Sequence, residues 1–391
     1  MNNIKSELKN REVESKPLLF DLNDSSDQEK INALFKDGKI QHISDDFEEQ
    51  LLELYGIQNP TKVYTPEFKN EFKTHLERLI AEKSLDMHGI WVYYPWLSKI
   101  VHTIPEEDFY TVRTARNRNL INSEEQSKFY NAKVGIGGLS VGSSVAYALT
   151  LQGGPKDVKL ADMDRLALTN TNRVLSGIDN LGCLKVEMAA RFMYQINPFM
   201  NITLYPDGLN ESNIEEFCSD RDVLVDELDN ISIKYLIREQ AKKHKIPVVM
   251  GADNGDNAVI DVERYDLDSD VVYFHNRIPG ATFESLRNLD KFGIGKTITQ
   301  HIGPENITER MQQSLMEMGK TIVSWPQLGG AALINGAAVA YCIRKILNDQ
   351  PLESNRALVL LDEKLIPNYN DSEEVAKRNA IADGFKKMFG L

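Results

Sequence analysis

Between residues 135 and 230 the chain sets out glycines, acids, amides and cations in an order suited to holding a nucleotide and stabilising charge on its phosphates. "GIGGLSVGSS" joins a short apolar run to a helical pattern, and such a turn offers backbone N–H groups and a positive helix end to a phosphate. The literal G-x-G-x-x-G is absent. The nearest register is Gly138, Ser140, Ser143, with serine in two glycine positions. Asp162 follows Gly138 by 24 residues at the end of the next strand pattern, where an acid accepts hydrogen bonds from ribose hydroxyls. Those features leave NAD and ATP both open. "LTNTNRVLSG" then separates them, because Asn170 and Arg173 lie 8 and 11 residues beyond Asp162 and Lys185 begins the next helical pattern. A guanidinium fork and a compact ammonium together offset a triphosphate's charge and steady departing pyrophosphate. In "VDELDN", Asp226 and Asp229 end the fourth strand pattern as hard ligands suited to Mg²⁺ shared with the phosphates.

These residues need a scaffold, and the segments around them supply one. "AKVGIGG", "DVKLADMD", "NITLYP", "DVLVDELDN" and "IPVVMGA" read as strands alternating with helices, which predicts an α/β fold: a Rossmann-like, mostly parallel sheet with helices on both faces. Residues 1–17 lack apolar periodicity and read as a mobile terminus. Residues 18–112 read as an accessory region, a small mainly helical unit with one or two strands in "GIWVYYPWLSKIVHTI". The nucleotide domain is expected over 113–350, with an elaboration at 255–320. "WPQLGGAALINGAAVAYCIRKIL" closes that domain with a helix of small residues, and 351–391 form a C-terminal extension with a strand in "RALVLLDE".

Composition narrows the function classes. The net charge of −13 opposes a nucleic-acid-binding surface and docking on anionic lipid, so neither RNA or DNA nor a membrane is an expected partner. The three cysteines, Cys183, Cys218 and Cys342, form no CxxC, and the seven histidines show no i, i+4 pair, so no zinc site is expected. No apolar stretch of bilayer-spanning length is read, and the polar start is unlike a signal peptide, which makes a cytoplasmic enzyme the expectation.

"GLSVGS", "ADMD", "NTNR", "LKVE", "INP", "LVDELDN" and the closing "WPQLGGAALINGAAVAYCIRKIL", in that order, resemble the ThiF/MoeB/HesA superfamily of ubiquitin-activating-enzyme-like adenylyltransferases. The likeness is specific over 133–251, and extends in particular to the subgroup in which such a domain precedes a nitroreductase-like one. It implies ATP and Mg²⁺ as ligands, with Asp162 on the ribose, Asn170 and Arg173 on phosphates, Lys185 at the head of the next helix, and Asp229 as the metal-binding acid. It also implies a homodimer in which an arginine upstream of the first strand reaches the partner's site; "RTARNRNLINSEEQ" leaves this between Arg116 and Arg118. Many relatives carry CxxC zinc pairs and a thioester-forming cysteine after the fourth strand; this chain has no cysteine between Cys218 and Cys342.

The reading is ATP-dependent adenylation of a carboxylate, giving an acyl-adenylate and pyrophosphate without an internal thioester. The carboxylate is a ubiquitin-like or peptide C-terminus or a small metabolite, and the acidic charge disfavours a tRNA-linked acid. A nucleotide-binding scaffold or pseudoenzyme is the alternative, motivated by the replaced glycines. An NAD(P)-dependent oxidoreductase lacks a YxxxK or a His–acid pair near the sheet edge.

Overall fold

The computed structural model describes residues 14–391; most of the expected mobile terminus, residues 1–13, lies outside the described residues. The chain divides into two compact units, one comprising residues up to Ser123 with Ala190–Met200, the other Glu124–Ala189 with Asn201–Leu391.

The first unit holds a four-stranded sheet in the order β1-β3-β4-β2, made of β1 (Leu18–Phe20), β2 (His42–Asp45), β3 (Ile90–Tyr94) and β4 (Lys99–Thr103). The helices Ser25–Lys36, Phe47–Gln58, Phe68–Glu82 and Glu106–Thr114 accompany it. β3 and β4 are the strands expected from the aromatic, β-branched stretch. β1 and β2 add strand to a region read as mainly helical, and at three and four residues they are too short to carry a period-two pattern. The His102 ring on β4 is fully buried between Phe47 and Trp91, at centroid distances of 4.0 and 4.3 Å. Its two nitrogens face Asp45 and the His88 carbonyl, so one side chain ties four segments together. Trp91 is thereby a packing residue. A half-open cleft of about 390 Å³ is lined by Val92, Tyr94, Ile104, Phe109 and Arg113 among others.

The second unit is built on a seven-stranded sheet in the order β11-β10-β9-β8-β5-β6-β7. β5 (Lys133–Gly137), β6 (Asp157–Ala161), β7 (Asn201–Tyr205), β8 (Val223–Asp226) and β9 (Val248–Asn254) run parallel to one another. These are the five strands expected. β8 is buried throughout and β5 nearly so, as befits central parallel strands covered on both faces. β10 (Asn257–Glu263) folds back on β9 as an antiparallel hairpin, and β11 (Asn355–Val359) pairs antiparallel with β10 at the edge. The last 40 residues are therefore integrated with the sheet rather than appended to it, and Phe385 of the helix Ser372–Phe389 packs with Val259, Ile302 and Met311.

The helix Gly329–Leu347 corrects one expectation. At 19 residues it is long and apolar enough to cross a membrane by length and composition. Its buried face, including Ala331, Ala332, Val339, Ala340 and Ile343, lies on β9, β10 and the helix Val141–Leu151, the packing of a core helix. Alanine and glycine supply much of this run, so no single residue marks it as strongly apolar.

Candidate active site

The chain leaves β5 for β6 on one side and later places β8 on the other, so the order of the parallel strands reverses at β5. Ligands of open α/β sheets bind in the crevice beyond the carboxyl ends of the strands at such a point. The glycine turn lies there. Gly138 has φ +84°, and a Cβ on it would sit 2.2 Å from the Glu227 carbonyl oxygen, so no other residue fits. Its N–H donates to the Ala161 carbonyl at 2.8 Å, joining the turn to the end of β6. Gly138→Ala is expected to lower stability by about 2–4 kcal/mol in urea denaturation, from the strained φ and the backbone clash; a loss under about 0.5 kcal/mol, within the range of an ordinary surface change, would contradict the packing described.

The helix Val141–Leu151 starts from Ser140 with no side-chain cap, leaving its first N–H groups to another acceptor. The Ser140 hydroxyl instead accepts from the Arg173 Nε at 3.0 Å. That contact brings the "NTNR" loop onto the glycine turn. Ser143 does not contribute as the register suggested, because it is fully buried and its hydroxyl donates to the Ser140 carbonyl at 2.8 Å.

Asp162 follows β6, with one carboxylate oxygen accepting from the Leu139 N–H at 2.7 Å and the other from the Asp164 N–H at 2.8 Å. Burial pushes its carboxyl above the usual range, and the Lys185 charge and those two N–H groups pull it back. The Lys185 ammonium lies 2.8 Å from Asp164 and 3.5 Å from Asp162, with the side chain almost fully buried at the head of the helix Lys185–Ile196. Asp164, the second acid of "ADMD", is thus the nearer of the two carboxylate partners of Lys185.

Asn170 acts on the loop itself: its side-chain oxygen accepts from the Ala167 N–H at 2.9 Å, and its carbonyl accepts from the N–H groups of Arg173 and Val174. Arg173 is half-buried, donates also to Asn172 and the Thr169 carbonyl, and feels the charges of Asp253 and Asp229. Asp229 is exposed just beyond β8, and Asn230 caps the following helix by accepting from Ser232 and Ile233. Asp226 is a correction. It is fully buried and paired with Arg238 at 2.5 Å and Lys234 at 3.2 Å, so both oxygens serve an internal network rather than a metal.

Two further acids went unread. Glu227 is buried behind the glycine turn, accepts from the Gly251 N–H at 2.7 Å, and burial pushes its carboxyl well above the usual range. Asp253, near the end of β9, is 7% exposed, and burial pushes its carboxyl up to about 6 against the opposing pull of Asn335, Gln327 and Arg173. The signal for Asp253 was present, since "VVMGADN" ends an apolar strand in an acid as "DVKLADMD" does. Arg116 and Arg118 are exposed and belong to the first unit.

Residues 114–284 match the ThiF family. The chain is 31% identical over 323 residues to "Uncharacterized protein MT1398" of Mycobacterium tuberculosis (strain CDC 1551 / Oshkosh), covering 81% of this chain and 44% of that protein. It is 36% identical over 118 residues to the tRNA threonylcarbamoyladenosine dehydratase of Escherichia coli (strain K12), covering 30% of this chain and 43% of that one. With the molybdopterin-synthase adenylyltransferase of Haemophilus influenzae (strain ATCC 51907 / DSM 11121 / KW20 / Rd) it shares 32% identity over 120 residues, covering 30% and 48%. The chain thus spans less than half the length of each of these relatives. The segment that matches the ThiF family contains the glycine turn, Asp162, Arg173, Lys185 and Asp229, so the likeness falls on the residues that form the site.

Proposed function

We propose that this protein is an ATP-dependent adenylyltransferase: a substrate carboxylate oxygen bonds to the α-phosphorus, the bond to the bridging oxygen breaks, and pyrophosphate leaves. The observation that carries the reading is Arg173 held on Ser140, a cation fixed beside an uncapped helix start at the strand-order reversal. The residues fit the nucleotide. The start of the helix Val141–Leu151 would receive phosphate and Asp162 the ribose, and the exposed Asp229 would hold Mg²⁺, which takes one or two carboxylates in such sites and would supply charge neutralisation. Arg173 and Lys185 offset the charge that grows on the leaving pyrophosphate. The Haemophilus relative is itself named as an adenylyltransferase. Calorimetric titration with ATP plus Mg²⁺ and, separately, NAD⁺ tests the nucleotide: heat of binding with NAD⁺ alone would remove the proposal.

The substrate carboxylate belongs, on this reading, to a ubiquitin-like or peptide C-terminus or to a small metabolite, and the enzyme works in the cytoplasm. Transfer needs no internal thioester. Cys218 and Cys342 are buried, and burial pushes their thiols up to about 12 and about 11, leaving little thiolate at neutral pH. Cys183 is half-buried in the loop before Lys185. Cys183→Ser is expected to keep most adenylation and most product formation, and a thiol-sensitive adduct seen by intact-mass spectrometry on wild type alone would contradict this.

The active form proposed is a homodimer in which Arg116 or Arg118 completes the partner's site. Mixing an Arg116/Arg118 double alanine variant with an Asp162→Ala variant should then restore part of the activity that neither has alone. A mass of one chain by light scattering with ATP present, or no restoration, would exclude the arrangement.

A further inference from the structure

The loop that carries Arg173 is tied to a buried acid that the adenylation chemistry does not use. Asp253 lies at the carboxyl end of β9, and its two oxygens accept from Asn335 at 2.5 Å and from the Gln327 side chain at 3.3 Å. Asn335 is fully buried on the helix Gly329–Leu347. Gln327 has a second role, because its main-chain carbonyl accepts from the Asn172 side chain at 2.8 Å. The Asn172 side-chain oxygen in turn accepts from Arg173 at 3.0 Å, and Arg173 donates through Nε to Ser140. A continuous line of hydrogen bonds therefore runs from β9 through residue 327 to the guanidinium.

The backbones along this line are in close contact. A Cβ on Gly329 would lie 2.5 Å from the Asn172 carbonyl oxygen, so the start of the helix Gly329–Leu347 packs directly against the loop. The charges agree with the bonds. Arg173 is attracted by Asp253 from β9 and by Asp229 from the segment after β8, and the buried carboxyl of Glu227 is the further titratable group facing Asp253.

We propose that Asp253, Gln327 and Asn335 form a positioning strut that holds the "NTNR" loop, and with it Arg173, in the orientation required by the phosphates. The inference rests on the adenylyltransferase reading only for its last clause. Burying a charged carboxylate is costly unless hydrogen bonds and a counter-charge compensate, and Asp253 has both, in the amides of Asn335 and Gln327 and in the charge of Arg173, which ties the acid to the loop cation. Asp253 and Gln327 are positioning residues; they act through Arg173.

The test compares wild type, Asp253→Asn and Gln327→Ala in the full chain by hydrogen–deuterium exchange without nucleotide, alongside melting temperature and titration with ATP plus Mg²⁺. Exchange over residues 168–177 should quicken in both variants while the melting temperature of Asp253→Asn stays level or rises, since the buried charge is relieved. ATP affinity should fall at least tenfold in each, and Asp253→Asn should cause no further loss in an Arg173→Ala background. Unchanged exchange in both variants overturns the strut, as does loss of ATP affinity that adds fully to that of Arg173→Ala. A loosened loop in a protein whose wild type binds no ATP upholds the strut and overturns the adenylyltransferase reading instead.

Discussion

Arg173→Ala should slow ATP-dependent adenylation by about 2–4 kcal/mol in barrier, roughly 30- to 800-fold, because one charged donor aimed at developing phosphate charge has about that effect. The loss should appear in ATP affinity as well as in kcat, since the cation meets the phosphates before transfer and gains strength as charge develops on them. Arg173 meets the site through Nε on Ser140, and alanine removes the cation while leaving the Asn170 bonds that shape the loop. The fold should survive, since Arg173 is half-buried and lies on a loop. Steady-state kinetics of pyrophosphate release with an identified carboxylate measures it, and turnover within twofold of wild type would sink the role given to this residue.

Lys185→Ala should cost a similar 2–4 kcal/mol in barrier, with a signature of its own in the pH profile. Lys185 neutralises Asp162 and Asp164, and its charge pulls the Asp162 carboxyl down against burial. Removing the ammonium removes that pull, so the Asp162 carboxyl must rise further. If the ribose is held by ionised Asp162, activity is lost as pH falls through this carboxyl's pKa, and the acid limb of the variant should lie at higher pH than that of wild type. An unshifted acid limb would show that Lys185 and Asp162 are not coupled in the working enzyme.

The parallel core was legible because its strands are apolar runs bounded by glycine, acid or proline, and each of the five matches an observed strand, β5 to β9. The placing of Asp162, Arg173 and Lys185 at the carboxyl edge was legible as well, since Asp162 directly follows β6, Lys185 heads the next helix, and Arg173 lies in the loop between them. Asp226 and Asp229 looked equivalent in sequence. Only the arrival of Arg238 and Lys234 from the next helix separates a buried ion-pair member from an exposed carboxylate. Ser143 misled for a related reason, because a helix-start serine bonds its own preceding turn as readily as a ligand. The Asp253–Gln327 pairing spans 74 residues of chain, and no periodicity encodes a contact at that separation. The helix Gly329–Leu347 shows the same limit, its composition suiting a bilayer and its contacts a sheet.

Which phosphate bond is broken tests the central claim most directly. Wild-type protein incubated with ATP, Mg²⁺ and a fractionated pool of cellular carboxylates and peptides should yield AMP, free or as an acyl-adenylate, together with pyrophosphate, in amounts that fall at least 30-fold with Arg173→Ala, as a loss of about 2 kcal/mol implies. Release of ADP and inorganic phosphate, or ATP left intact across every fraction while binding is demonstrated by titration, would contradict adenylation and leave a nucleotide-binding protein of another kind.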